Sequence, residues 1–487
     1  MGSKKELRIY TIIGKIVLAL YAVTAAIFMI SLITLHILPA MMLGIIALVL
    51  AIIGVILSFC QGHTKLLSIV GSSILLIFAI GFLIGIFYIR NLNITLEEVT
   101  TPEVQTDVVS VYVLRDDPAE TIEDTIDYQF GIVRQEAPSM VNETIANINA
   151  ILGTSIRLNE YDDAFAVLTA LRNGESNAVI LDEAFVGIVA NHEDFEWVHT
   201  ELRALFVEEF EVEVPIVIEP PEEIPDSFIL YLTGIDTYGG VSARSRSDVN
   251  ILVVVNTTSK EILLLSTPRD AYVTFDMAGD ARDKLAHAGI YGVDQSIDAL
   301  EDLYGINIDY FVRMNFTGFM EIIDALGGVT VYSEHDFYVE NIRSYTVGPN
   351  HLTGIEALAF ARERMAFADG DFQRARNQME VIRAVAVTAA SPALLMNFNQ
   401  MMNAISGSFE TNMPRDQIAQ LARMQLSDMA EWTITSYTTT GNSSMGETFS
   451  MPGHMLYIIN MNPYSIEEAR DLIRETMGLG DVGEVDD

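Results

Sequence analysis

The chain has 487 residues, length for two or three domains, with 28 Lys+Arg against 66 Asp+Glu and a formal net charge of −38. So acidic a chain lacks the basic footprint that general nucleic-acid binding needs. Its single cysteine, Cys60, excludes structural disulfides and cysteine-based zinc sites. The charge is unevenly spread: residues 1–90 hold six basic groups and one acidic group, the remainder 22 basic and 65 acidic.

No Asp, Glu, Lys or Arg occurs between Lys15 and Lys65. As one helix that stretch would run to about 73 Å, against a hydrocarbon core of about 30 Å, so it must fold back. Pro39 marks the break, giving spans at 16–38 and 41–60, and the uncharged run after Lys65 adds a third at 66–89. Under this topology Lys4, Lys5, Arg8, Lys15 and Lys65 share one side, which the positive-inside rule makes cytoplasmic, with Arg90 a minor dissent. The acidic remainder then lies outside the cell. A cleaved signal peptide predicts one short apolar region, not three.

Residues 91–107 read as a polar stalk. From 108 to 214, short apolar runs alternate with helix-like stretches such as DDAFAVLTALRNG, which ends at a glycine, and predict a small α/β accessory domain. The segment 215–226, with three prolines and four acidic residues in its IVIEPPEEIPD stretch (216–226), reads as a linker. A second α/β pattern fills 227–478, and 479–487 is an acidic tail.

In this second region FILYLTGID (Phe228–Asp236) predicts a buried strand ending in an aspartate. SDVNILVVVN, the turn TTSK and EILLLSTPRD predict an antiparallel hairpin. Asp236, Arg246, Asp248, Arg269 and Asp270 fall at strand ends, where α/β enzymes place their sites. The competing account is that they cap strands and pair with one another at the surface. Thr353 and Glu356 have capping-box spacing before GIEALAFARER. Arg362 and Arg364, two apart, can face one ligand only if that helix ends between them or soon after. Asp371, Arg374 and Gln378 form one helical stripe that continues onto Ile382 and Val385, the pattern of a helix whose first turns line a cleft. Arginine suits bidentate phosphate recognition, and two carboxylates with phosphate oxygens are a usual cradle for Mg²⁺. There is no Walker A run, G-x-S-x-G or H-E-x-x-H, and the eight histidines lack metal-ligand spacing.

In this order, GID, RSD (Arg246, Asp248), STPRD (Arg269, Asp270), DK (Asp283, Lys284), DALGGVTV, LTGIEALAFARER and GDFQRARNQ resemble the LytR-CpsA-Psr family of Gram-positive cell-envelope proteins. The likeness is good over about 226–390 and looser to about 478; three spans and an extra outer domain resemble its streptococcal capsule-assembly branch. The resemblance implies a three-layer α/β/α catalytic domain with a hydrophobic groove for a polyprenyl pyrophosphate. It implies a phosphotransferase moving a glycan phosphate, of a capsular polysaccharide or teichoic-acid-like polymer, from that carrier to peptidoglycan. Carried over by motif, Asp236 and Asp248 are Mg²⁺ ligands. Arg246, Arg269, Arg362, Arg364, Arg374 and Gln378 hold the pyrophosphate. Arg269 and Arg374 act in catalysis with Asp371, which would orient or deprotonate the acceptor hydroxyl. The expected partners are the lipid-linked glycan, peptidoglycan, membrane lipid and capsule-assembly proteins, with no nucleic acid. Two departures stand out: Thr267 occupies the variable place of S-x-P-R-D, and the frequent R-Q of the last motif is Asn377-Gln378, leaving Arg376 without a role.

Three other functions remain open at this stage. One is a ligand-binding module with residues 108–214 as receptor, a segment that carries no nameable chemistry and better suits scaffold or partner binding. A hydrolase of the lipid pyrophosphate would use the same residues with water as nucleophile. A membrane sensor or attenuator of envelope synthesis would need none of the chemistry, but the first ninety residues leave almost no cytoplasmic mass for direct action on transcription.

Overall fold

The protein is described by a computed structural model. It covers residues 2–34, 38–61, 63–99, 104–134, 139–190, 192–213, 219–235, 244–279, 281–368, 370–389 and 409–480, with backbone alone for 2–8, 88, 91–99, 104, 193, 213, 371 and 415. The chain divides into two compact units.

The first unit holds α1 (Gly2–Thr34), α2 (Ala40–Phe59) and α3 (Lys65–Val99), together with the helix Arg415–Asp428. Within the first three helices, Ile9–Thr34, Ala40–Phe59 and Lys65–Phe87 are long and apolar enough to cross a membrane. Pro39 stands just before α2 with φ −58°, as a residue that cannot continue a helix should. Tyr21, Leu57, Leu75 and Phe82 form the buried contact among the three. The third helix continues past the apolar run to Val99, and the first strand begins at Val104.

The second unit opens with a five-stranded region. Its elements are β1 (Val104–Leu114), β2 (Gln129–Val133), α4 (Met140–Leu152), β3 (Arg157–Tyr161), α5 (Ala164–Arg172), β4 (Ala178–Asp182), α6 (Glu183–Val189), α7 (Val198–Glu201) and β5 (Leu202–Glu213). The strand order is β3-β2-β4-β1-β5, parallel among β3, β2 and β4 and antiparallel at β1. Asp163 caps α5 through Ala166 N at 2.8 Å, and Gly174, φ +75°, turns the chain just past its end.

Next come β6 (Ser227–Ile235), β7 (Ser247–Asn256), β8 (Glu261–Ser266), β9 (Tyr272–Phe275), β10 (Ala281–Lys284), α8 (Leu285–Tyr291), α9 (Val293–Tyr304), β11 (Tyr310–Met314) and α10 (Phe316–Ala325). Four short strands, β12 (Val329–Ser333), β13 (Phe337–Val339), β14 (Arg343–Tyr345) and β15 (Gly348–Leu352), precede α11 (Gly354–Arg362) and α12 (Asp371–Ala389). The chain closes with β16 (Phe409–Thr411), β17 (Thr433–Thr438), β18 (Gly441–Thr448), β19 (Met451–Met461) and the helix Pro463–Met477.

Six strands form the central sheet, in the order β16-β11-β6-β7-β8-β17. The antiparallel β7–β8 hairpin is present as the sequence predicts. Alternation along the strands separates two faces. Ile229, Tyr231, Leu252, Val254, Leu263 and Leu265 pack against α8, α9 and the last helix. On the other face, Ile251 and Leu264 pack with Met379 of α12, and Leu232, Val249 and Val253 join the same cluster. The result is a three-layer α/β/α arrangement behind the separate five-stranded region.

Candidate active site

The site begins with an irregularity in β6–β7. Gly234 pairs with Val249 but Ile235 pairs with Ser247, so Asp248 is an extra residue in β7. Such a bulge re-aims its side chain, and here Asp248 and Val249 both face one cavity. Gly234 leaves little room opposite: a Cβ there would stand 3.0 Å from Val249 Cγ2. At the end of β8, Pro268 accepts from Ala271 N at 3.0 Å, and this turn presents Arg269. Arg269 Nη1 donates to Asp248 Oδ2 at 2.7 Å, and its Nε lies 3.8 Å from Asp270 Oδ2. Lys284 Nζ meets Asp270 Oδ1 at 2.6 Å.

The cavity is about 440 Å³. One part of its wall is charged: Asp248, Arg269, Arg362, Arg364 and Arg374, with Gln378 beside them. The rest is largely apolar, formed by Leu232 and Ile235 of β6, by Phe316, Phe319, Ile322 and Ile323 of α10, and by Ile382 and Val385 of α12. The capping box of Thr353 and Glu356 starts α11, and the helix ends at Arg362, with Glu363 extended at ψ 129°. That break satisfies the condition set by the two-residue spacing, and Arg362 and Arg364 reach the same cavity. Arg362 also lies over the Phe316 ring, 4.3 Å from its centroid. Along α12 the stripe Arg374, Gln378, Ile382 and Val385 runs from the charged wall into the apolar one, over about 17 Å at the usual helical rise.

Electrostatics keep the carboxylates of this site ionised. Burial pushes the Asp248 carboxyl up, but Arg269, Arg246, Arg374 and Lys284 together hold it below the ordinary value. Burial likewise pushes Asp270 up, and Lys284 and Arg269 bring it below normal. Asp248 Oδ1 is buried and has no hydrogen-bond partner among the described residues. A carboxylate with one oxygen on an arginine and the other unsatisfied fits a divalent cation, which would supply the missing partner. Among the described residues no group of three or more His, Cys, Asp or Glu forms a metal cluster, so such an ion would depend on substrate oxygens and water as well.

Not every residue singled out by sequence lines the cavity. Arg246 is buried beside it, packed on α6 of the five-stranded region, where a Cβ on Gly187 would lie 3.4 Å from its Nε. Asp283 is committed elsewhere: Oδ1 accepts from His287 Nδ1 at 2.7 Å and Oδ2 from Ser450 N at 2.7 Å. Burial pushes the His287 imidazole down, against the opposing pull of the Asp283 carboxylate. Asp236, and the side chain of Asp371, lie outside the described residues. Conversely, Phe316, Phe319 and Ile323 are spaced three, then four apart, a stripe legible in the sequence as a buried helix face but not as a cavity wall. Nothing in the sequence marks His199, which also lines the cavity.

A model of the LytR_cpsA_psr family matches residues 208–462. The polyisoprenyl-teichoic acid–peptidoglycan teichoic acid transferase TagU of Bacillus cereus is 33% identical over 195 residues, 40% of this chain and 63% of that protein. TagT of Bacillus subtilis, bearing the corresponding name, is 35% identical over 199 residues, 39% of this chain and 61% of that protein. The chain thus spans somewhat under two thirds of the length of these relatives. A solved structure described as TagT bound to LI-WTA is 27% identical, covering 54% of this chain and 96% of that one with a TM-score of 0.43. With more than half its length matched by the family model, the chain belongs to the LytR-CpsA-Psr family.

Proposed function

We propose that this protein is a membrane-anchored phosphotransferase that moves a glycan phosphate from a polyprenyl-pyrophosphate carrier to a hydroxyl of peptidoglycan. One observation carries the reading: four arginines, Arg269, Arg362, Arg364 and Arg374, converge on one wall of a cavity that is otherwise largely apolar. A pyrophosphate on a long hydrocarbon tail has that same division of charge. Relatives named as teichoic acid transferases support the reaction class. The polymer is a teichoic-acid-like or capsular glycan.

In this reading Arg362, Arg364 and Arg374 hold the pyrophosphate oxygens, with Gln378 as a further donor and Arg246 adding positive potential from behind. Arg269, aligned by Asp248 and Asp270, stabilises the charge that develops as the bond breaks. The acceptor oxygen attacks the sugar-bearing phosphorus, the bond to the distal phosphate breaks, and polyprenyl monophosphate departs while a phosphodiester forms. Asp371 is assigned to orient the acceptor hydroxyl and take its proton. Asp248 with Asp236 would hold a Mg²⁺, which when bound neutralises phosphate charge. The positive charge of residues 1–90 supports an N-terminus inside the cell and the cavity outside. Envelope-assembly proteins are further partners in this scheme.

The test uses full-length protein in detergent with a labelled lipid-linked glycan and peptidoglycan. Expected are a polyprenyl phosphate or pyrophosphate co-purifying by mass spectrometry, label fixed to the wall polymer, and loss with EDTA restored by Mg²⁺. Release of free glycan phosphate with no attachment would make the protein a hydrolase and overturn the transferase reading.

A further inference from the structure

The five-stranded region is joined to the motif-bearing strand at several points. Arg244 donates from Nε to Gln105 Oε1 at 3.0 Å, reaches Asp107 Oδ2 with Nη1 at 3.3 Å, and its backbone N–H binds Thr106 O at 2.8 Å. Arg246 packs on Gly187. Trp197 and Val198 share an apolar cluster with Ile290 of α8 and Met451 and Leu456 of β19. Arg244 and Arg246 precede Asp248 by four and two residues, so the first two of these joins lie close in the chain to the aspartate of the charged wall. The next residue after Val198 is His199, exposed to solvent and lining the cavity; among the described lining residues it alone comes from the five-stranded region.

We propose that His199 is a substrate-contacting residue at the charged mouth of the cavity, and that it binds the sugar joined to the pyrophosphate of the lipid-linked glycan. The inference rests on the phosphotransferase reading above. The arginines already meet the phosphate charge and the apolar walls meet the tail, so what passes the mouth beyond them is the glycan. An imidazole presents one N–H donor and one ring-nitrogen acceptor when neutral, which matches a pair of sugar hydroxyls. The extra outer region would thereby help to choose which glycan is transferred.

The test compares full-length wild type, His199→Ala and His199→Gln, with a lipid-linked glycan as donor and a sugar-free polyprenyl pyrophosphate as binding probe. For His199→Ala the expected result is a KM for the glycan donor raised roughly three- to tenfold, the worth of one or two hydrogen bonds, with kcat within about twofold. Affinity for the sugar-free probe and the melting temperature should stay at the wild-type value, and His199→Gln should recover part of the loss. An unchanged KM in His199→Ala, or an equal loss of affinity for the sugar-free probe, would overturn the assignment while leaving the transferase reading intact. A wild-type protein that neither binds the probe nor transfers glycan would overturn both.

Discussion

Arg269 and Asp248 meet at 2.7 Å, Nη1 to Oδ2, across the ends of two adjacent strands, and both side chains are largely buried. The pair fixes the arginine that faces the cavity and leaves the second carboxylate oxygen available. Replacing Arg269 by Ala should reduce transfer by at least about a hundredfold, as loss of a charge-stabilising donor does. Breaking one half of a buried ion pair should also cost about 3–5 kcal/mol of stability, read by denaturant unfolding. The pH dependence should change too. With the folded carboxyl of Asp248 held low, its stabilising contribution is present above the unfolded value and lost as pH falls through the folded one. Without Arg269 the carboxyl loses the largest of the charges that hold it down, leaving Arg246, Arg374 and Lys284 against burial, and the acid limb of unfolding should move to higher pH. An unmoved limb would show that Arg269 does not set the ionisation of Asp248.

Gly289 of α8 lies against the strand that carries Asp248. A Cβ there would stand 2.6 Å from Ser245 O and 2.8 Å from Ser247 N. Gly289→Ala should therefore displace the start of β7 and lower transfer more than tenfold, although alanine is the better helix former. An activity assay alongside circular dichroism separates this from global unfolding: helix content should hold while activity falls.

Ile322 of α10 lines the apolar wall, away from every arginine motif. Ile322→Trp should fill space that the tail would occupy, abolish co-purified polyprenyl lipid, and cost about 1–3 kcal/mol in overpacking. Retention of the lipid at the wild-type ratio would place the tail elsewhere.

Asp182 of β4 is pushed up to about 6, by burial first and by the neighbouring Asp107 and Glu183, against a hydrogen bond from Ala184 N and the charge of Arg244. A carboxyl raised on folding binds more protons in the native state, so stability falls as pH rises from the unfolded value through about 6. Asp182→Asn keeps a competent cap for α6 and removes the penalty. The melting temperature at pH 8 should rise, by a few kcal/mol at most in free-energy terms, and converge with wild type near pH 4. A variant no more stable at pH 8 than wild type would contradict this.

The clearest signals in the sequence were periodic ones. The stripe Arg374, Gln378, Ile382 and Val385 needs only 3.6-residue geometry to be placed on one face, and the structure puts all four on the cavity. The Thr353–Glu356 box and the β7–β8 hairpin were equally local. Arg362 and Arg364 were legible only conditionally, because spacing cannot say where a helix stops. The apolar half of the cavity was hidden: a stripe such as Phe316, Phe319 and Ile323 looks the same whether it meets another side chain or an empty space. Arg246 and His199 depend on how the five-stranded region docks against the central sheet, and a contact between distant segments leaves no periodic trace. The bulge that turns Asp248 inward likewise arises from pairing between strands, not from the strand itself.

The apolar cluster that joins Trp197 and Leu168 to Ile290, Met451 and Leu456 has a practical consequence for anyone trimming the protein. Cutting away residues 104–213 would not leave the rest of the unit intact. It would strip the cover from an oily seam, take Gln105 and Asp107 from Arg244, and deprive His454 of Asp163, its partner at 2.8 Å. The truncated piece would be adhesive and its Asp248 strand untethered. Silence from such a piece would report damage to the scaffold, so the contribution of the outer region has to be dissected by single substitutions on its surface.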